Sequence, residues 1–302
     1  MKFALQRCCV TSVFLKQYEA ATDAVLAKLG IELEEVREFN CCGYPLKNYD
    51  FTACALSSAR NLALAEKRSL NILTLCNCCY GNLKHIAHVL KDNASLKKEI
   101  DTTLAKEDLT YTGAVAPKHL FEVLYHDVGL DTIKQKMVKT YRNLKVAVHY
   151  GCHLLRPKDV VQFDNPFAPS IFDQLVGITG ATSVPWSTKL ECCGAPLWGV
   201  NDELSLDLTE KKLADAKQAG ADYVCVICPF CQLQFDRVQR ILLSRRTSAA
   251  AIPSLVYTQL LGLSLGLDEE SLGLGMNELP AETIHQFLGT PEEAQAAAPV
   301  HG

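Results

Sequence analysis

The chain has 302 residues, 48% of them apolar and 21% charged, with a net charge of −4. At roughly 100–200 residues per domain, this length predicts two domains or one fold built from two halves. The composition suits a globular protein with a full core, and the mildly acidic balance offers no basic field for nucleic acid. No run of 18 or more apolar residues is present, and the start MKFALQRCCV is too short and too interrupted by cysteine for a signal-peptide core. A cytoplasmic protein without a transmembrane segment is expected.

Taken in order, the pattern alternates short apolar strands with amphipathic helices. Lys2–Gln6 predicts a strand, Tyr18–Leu29 a helix stopped by Gly30, and Ile31–Arg37 a weaker strand. Asp50–Arg68 predicts a helix, Asn71–Leu75 a strand and Tyr80–Leu90 a helix. The order then begins again with a strand at Leu144–Tyr150 and helices at Pro169–Gly177 and Asp202–Gly220. A strand at Asp222–Ile227 and a helix at Phe230–Leu243 complete it. Such alternation predicts an α/β fold of two pseudo-symmetric Rossmann-like halves with mostly parallel sheets. The expected divisions are an N-terminal half over 1–92, a helical connector over 93–142, a C-terminal half over 143–289 and a disordered tail over 290–302. The connector carries Phe121, Val123, Leu124 and Val128, which need a core to pack against.

Fourteen cysteines are too many for a reducing compartment unless they bind metal or do redox work. Ten of them form a repeat. Cys9 is followed by Cys41-Cys42-Gly43 and by Cys76 and Cys79; Cys152 is followed by Cys192-Cys193-Gly194 and by Cys228 and Cys231. The intervals match: 31 and 39 residues separate the first cysteine from the pair, and 33 and 34 separate the pair from the last group. A period this long with one internal order predicts duplication of a cysteine-binding unit. Each group falls at or just after the C-terminal end of a predicted strand, the ligand-binding edge of open α/β sheets. The glycine after each pair permits a sharp turn or close approach, and the last groups sit at helix starts, where backbone N–H groups favour thiolates.

Zinc and an ordinary cubane cluster each take four ligands. Five thiolates per half, two of them adjacent, fit a larger or irregular iron–sulfur core better, with zinc in one or both halves as the alternative. A dithiol/disulfide pair and simple burial of free cysteines are the other readings of the same residues. Cys54 and Cys225 are expected to be packing residues. Cys8 and Cys78 lie beside ligands and are left outside the ligand set.

The duplicated CCG motif resembles the B-type subunit of heterodisulfide reductase. So do HYGCHLLRP (His149–Pro157), CPFCQLQFD (Cys228–Asp236), QLLGLSLG (Gln259–Gly266) and CNCCYGNL (Cys76–Leu83). The resemblance spans nearly the whole chain, with Cys78 where that family commonly has glycine. It implies two noncubane [4Fe-4S] clusters. Cys9, Cys41, Cys42, Cys76 and Cys79 would hold the first, and Cys152, Cys192, Cys193, Cys228 and Cys231 the second. It also implies a catalytic subunit that splits a disulfide between the clusters. Electrons would come from an iron–sulfur C-type subunit and a flavoprotein A-type subunit. The segment CCGAPLWG is bulkier at Pro196, Leu197 and Trp198 than the glycine-rich methanogen run, so a reshaped substrate cleft is expected.

His149 and His153 flank Cys152 and are candidate proton donors or orienting groups. Lys47, Arg156 and Lys158 are candidate anchors for an acidic substrate. Two further readings remain: an electron-relay subunit of another redox complex, and a zinc-binding assembly module. The chain lacks a GxGxxG fingerprint and the close cysteine spacing of bacterial ferredoxins, so electrons are expected from a partner protein.

Overall fold

The computed structural model describes residues 1–290. The tail expected from 290 onward therefore lies, from 291, outside the described residues. The strands are β1 Lys2–Gln6, β2 Glu32–Glu35, β3 Ile72–Thr74, β4 Pro117–His119, β5 Thr140–Tyr141, β6 Lys145–His149, β7 Thr182–Ser183, β8 Tyr223–Val226, β9 Ser254–Val256 and β10 Leu288–Gly289. They build two four-stranded sheets, ordered β2-β1-β3-β4 and β7-β6-β8-β9, with every pairing parallel. The order is the same in both. A short antiparallel pair, β5 with β10, stands apart. The mixed α/β architecture with mostly parallel sheets is thus the one the strand–helix alternation predicts.

The chain divides into two compact units. Among the described residues, the first comprises 1–9, 30–123 and 153–168; the second comprises 10–29, 124–152 and the residues from 169 onward. Each unit therefore takes one segment from the opposite half of the sequence.

In the first unit, β1 is buried along all but its first residue, as a central parallel strand flanked on both sides requires. Edge strand β2 is acidic, and Glu34 and Glu35 pair with Lys2 (2.7 Å) and Arg7 (2.6 Å). These charges blunt an otherwise open edge. The helix Phe51–Glu66 starts at Asp50, whose carboxylate accepts from Ala53 N at 2.9 Å. It packs with Leu83, Ile86 and Leu90 of the helix Asn77–Asp92. Ile100 and Leu104 of the helix Ala94–Leu104 join the same core, and β4 extends the sheet, so residues 93–123 of the segment expected as a connector lie in this unit and residues 124–142 in the second. Each such buried aliphatic side chain contributes on the order of 1.5–3 kcal/mol.

In the second unit, the helix Lys16–Leu29 buries Tyr18, Val25 and Leu26. The Tyr18 hydroxyl donates to the carbonyl of Ile227 just past β8. Tyr150, Phe172 and Tyr257 stack edge to face at 5.5 and 5.8 Å, and Tyr150 donates to Asp173 at 2.7 Å. The helix Asp202–Gln218 is capped by Asn201, which accepts from Leu204 N at 3.1 Å. The helical stretch expected at Phe230–Leu243 is not uniform. It runs as α-helix over Pro229–Leu233, widens into a π-helical turn over Gln234–Val238, and returns to α-helix over Gln239–Arg245. Such turns concentrate near functional sites.

Candidate metal centres

In both units, cysteines leave the C-terminal ends of three neighbouring parallel strands. After β1 come Cys8 and Cys9, after β2 come Cys41 and Cys42, and after β3 come Cys76 and Cys79. The second unit repeats this with Cys152 after β6, Cys192 and Cys193 after β7, and Cys228 and Cys231 after β8. The topology alone brings five thiols together at each sheet edge.

The contacts follow one order in both. Cys9 meets Cys41, Cys41 meets Cys42, Cys42 meets Cys79, and Cys79 meets Cys76. Likewise Cys152 meets Cys192, Cys192 meets Cys193, Cys193 meets Cys231, and Cys231 meets Cys228. Exposure matches too: Cys42, Cys76 and Cys79 are buried, as are Cys193, Cys228 and Cys231, while the remaining two of each set are at least partly accessible. Cys41 and Cys192 are held well below the usual thiol range. Neighbouring thiols donate to Cys41 (Cys42, then Cys9) and to Cys192 (Cys152, then Cys193), and the N–H of Gly43 or Gly194 adds to this. Gly194 N lies 3.4 Å from the Cys192 sulfur. Cys76 and Cys228 each occupy the N-cap of the following helix in extended conformation, so their sulfurs sit at the positive end of the backbone dipoles.

A buried polar cradle fixes each Cys-Cys-Gly turn. In the first unit, Ser58 Oγ donates to Cys42 O at 2.6 Å, and Asn82 Nδ2 donates to Cys42 O at 2.8 Å and to Ser58 Oγ at 3.0 Å. In the second, Thr209 Oγ1 donates to Cys193 O at 3.2 Å and Ser205 Oγ to Gly194 O at 3.0 Å. Gln234 Nε2 reaches Ser205 Oγ at 2.9 Å and Thr209 Oγ1 at 2.6 Å. Counted from the second cysteine of each pair, Ser58 corresponds to Thr209 and Cys54 to Ser205; Asn82 and Gln234 both follow the last cysteine by three positions. Cys54 is therefore a cradle residue, 3.6 Å from Asn82 Oδ1. Gly43 and Gly194 lie at φ +86° and +95°. A Cβ there would come within 2.7 Å of Cys54 O or Ser205 O, so the turns accept only glycine.

The last residues of β1 and β6, Gln6 and His149, correspond and are both buried. The side-chain amide of Gln6 makes no hydrogen bond among the described residues. His149 lies with Cys193 and Cys231 in a group whose ligand atoms are all within 4.8 Å of one another. Burial, and then the charge of Lys212, hold its imidazole well below its ordinary range, so it is neutral. All-sulfur donor sets and five thiols in continuous contact fit an iron–sulfur group. The fivefold contact order exceeds what one tetrahedral zinc uses.

The other candidates separate. His153 belongs to the first unit and His149 to the second. The Nε2 of His153 is 2.9 Å from the Tyr44 hydroxyl, and its Nδ1 is 3.5 Å from the sulfur of Cys78. Tyr44, Lys47 and His153 line a shallow cavity of about 290 Å³. Arg156 and Lys158 are exposed and do not line it. Trp198 lines another hollow of about 300 Å³ with Phe14, Leu233 and Arg237. Sequence reasoning missed the cradle residues, Gln6 and the buried Lys212; the equal offsets from the cysteine pairs were the available signal for the cradle.

Known proteins share this arrangement. The family model of the cysteine-rich domain matches twice, over residues 3–84 and 146–236. The chain is 36% identical to the B-type subunit of the ferredoxin/F420H2-dependent CoB-CoM heterodisulfide reductase of Methanosarcina acetivorans, covering 92% of this chain and 94% of that one. It is 34% identical to the 8-methylmenaquinol:fumarate reductase membrane anchor subunit of Wolinella succinogenes, over 94% and 99% of the two chains. A protein of Archaeoglobus profundus, named for its likeness to the same heterodisulfide reductase subunit, is 32% identical over 94% and 97%. A crystal structure of a hypothetical protein from Helicobacter pylori superposes with a TM-score of 0.75 at 16% identity, covering 93% of this chain and 52% of that one, and shares the fold. Among the described residues no helix is long and apolar enough to cross a membrane, although the Wolinella relative is named an anchor. With two matched cysteine-rich repeats and this identity along nearly its whole length, the chain belongs to the duplicated cysteine-rich domain family that includes the B-type subunit of heterodisulfide reductase.

Proposed function

We propose that this protein is the catalytic subunit of a heterodisulfide reductase-type complex and carries two noncubane [4Fe-4S] clusters. The observation that supports this most is the repeated contact order of five thiols at the C-terminal edge of each sheet. Cys9, Cys41, Cys42, Cys76 and Cys79 hold the first cluster. Cys152, Cys192, Cys193, Cys228 and Cys231 hold the second. Such groups, when bound, would supply one-electron redox chemistry. The overall conversion takes one disulfide, two electrons and two protons to two thiols. The polypeptide fixes the ligand turns through Ser58, Asn82, Thr209 and Gln234. The cavity at Tyr44, Lys47 and His153 offers a cation and a hydroxyl–imidazole pair to an acidic thiol compound.

The substrate is a small-molecule or protein disulfide. Electrons arrive from an iron–sulfur C-type subunit and, behind it, a flavoprotein A-type subunit, because no hydride-accepting motif is present in the sequence. The Wolinella relative supports a second reading, an electron-relay subunit of a complex with no disulfide chemistry.

The test is anaerobic purification followed by iron, sulfide and zinc counts, an EPR spectrum, and assay of disulfide cleavage with a reduced viologen dye. About eight irons per chain and dye oxidation that depends on disulfide are expected. Iron without disulfide-dependent turnover supports the relay reading, and zinc without iron overturns both.

A further inference from the structure

Several corresponding positions differ between the cysteine sites, and two of the buried ones change charge. Beside Cys9 stands Cys8, but the corresponding neighbour of Cys152 is Gly151. Cys8 is 2% exposed. It touches Cys9 and Cys79, and its sulfur and those of Cys76 and Cys79 all lie within 4.8 Å of one another. Beside the five positions the sites share, the first site thus holds Cys8, which the second lacks.

The second difference lies on the helix behind each pair. Asn61 follows Cys42 by 61 − 42 = 19 positions, and Lys212 follows Cys193 by 212 − 193 = 19. Asn61 braces Asn40, the residue before Cys41, accepting from its N–H at 3.0 Å and donating to its carbonyl at 2.8 Å. Lys212 braces Glu191, the residue before Cys192, at 3.3 Å, and also donates to the Thr188 carbonyl. Its ammonium lies 4.5 Å from the centre of the Trp186 ring, and the residue is 1% exposed. The same brace is neutral in one site and cationic in the other.

We propose that the two sites are electronically unequal, with Cys8 a sixth thiolate ligand of the first and Lys212 a buried counter-charge of the second, so that the second accepts an electron at the higher potential. This rests on the iron–sulfur reading above. An added thiolate makes its site more negative and harder to reduce; a desolvated ammonium near a site stabilises the added electron, because low local dielectric screens it weakly. With one electron present, it occupies the second site. The transfer moves one electron from the reduced first site to the oxidised second site and breaks no bond.

The experiment is an anaerobic redox titration of the purified protein with viologen dyes, followed by EPR and visible absorption, on wild type, Cys8→Gly and Lys212→Asn. Each variant installs the residue found at the corresponding place in the other site. Wild type titrates in two steps. Cys8→Gly raises the lower step, and Lys212→Asn lowers the higher one. Each effect is at least about tenfold in the reduction equilibrium, about 59 mV for a one-electron couple, and each leaves the other step in place. If Lys212→Asn fails to fold, Lys212→Met keeps the aliphatic stem over Trp186 without the charge and makes the same measurement. A single wild-type step, or variants with the wild-type steps and EPR spectrum at full iron content, overturns the proposal. Iron-free wild type instead defeats the functional reading on which it rests.

Discussion

Replacing Gly43 with alanine tests whether the Cys-Cys-Gly turn shapes the first site. The glycine lies at φ +86°, where an L-residue costs about 1–2 kcal/mol. The new methyl would also sit 2.7 Å from Cys54 O and 2.9 Å from Ser57 Cβ. Both belong to the helix Phe51–Glu66, whose backbone cannot yield alone. Overpacking of this kind adds about 1–3 kcal/mol, so Gly43→Ala should destabilise the protein by about 2–5 kcal/mol. Gly30→Ala supplies the control: its φ is +81°, but nothing lies within 4 Å of the added Cβ. It should cost only the conformational part, about 1–2 kcal/mol. Denaturant unfolding measures both, and iron per chain in anaerobic preparations shows the consequence. Gly43→Ala should lose the iron of the first site, about half the total, whereas Gly30→Ala keeps it all. Equal stability of the two variants with equal iron would refute the reasoning.

Cys54→Ser places in the first cradle the residue that Ser205 supplies in the second, so iron content should stay full and stability should change by less than about 1 kcal/mol; loss of iron would make Cys54 a ligand. Asn82→Ala removes the bonds to Cys42 O and Ser58 Oγ and should cost about 1–3 kcal/mol in denaturant unfolding, with faster iron release to a chelator. Asp236 gives a pH signature. Burial pushes its carboxyl up to about 6, against the backbone N–H donors of Glu278 and Leu279. The folded state therefore binds a proton between about pH 4 and 6 that the unfolded chain does not, and stability falls by about 3 kcal/mol as pH rises across that window. Asp236→Asn should flatten that part of a plot of melting temperature against pH; an unchanged slope would remove Asp236 as its source.

The ten repeated cysteines were legible because their chemistry is rare and their intervals recur, and the parallel sheets followed from strand–helix alternation. The polar supports behind the cysteines were harder to see. Ser58 and Thr209, Asn82 and Gln234, and Cys54 and Ser205 share positions but differ in type, so no repeated letter marks them. Strands β4 and β9 have three residues each, too few for a periodic signal. The π-helical turn at Gln234 arises where that side chain hydrogen-bonds Ser205 and Thr209, partners distant in sequence. The amphipathic face of Lys16–Leu29 was readable, but not that it packs in the unit built mainly from the other half. Cys152 and His153 are likewise neighbours in sequence and members of different units.

The hydroxyl and amide braces behind the paired cysteines are supplied by the helices Phe51–Glu66, Asn77–Asp92 and Asp202–Gln218 and by the π-helical turn, all of them groups of the polypeptide itself. A zinc finger collapses when its ion leaves because the ion is its core. Here the receptacle's outline is stored in the scaffold itself. On the iron–sulfur reading proposed above, the cysteine turns are expected to persist when iron is stripped, and near-native circular dichroism of chelator-treated protein would check this.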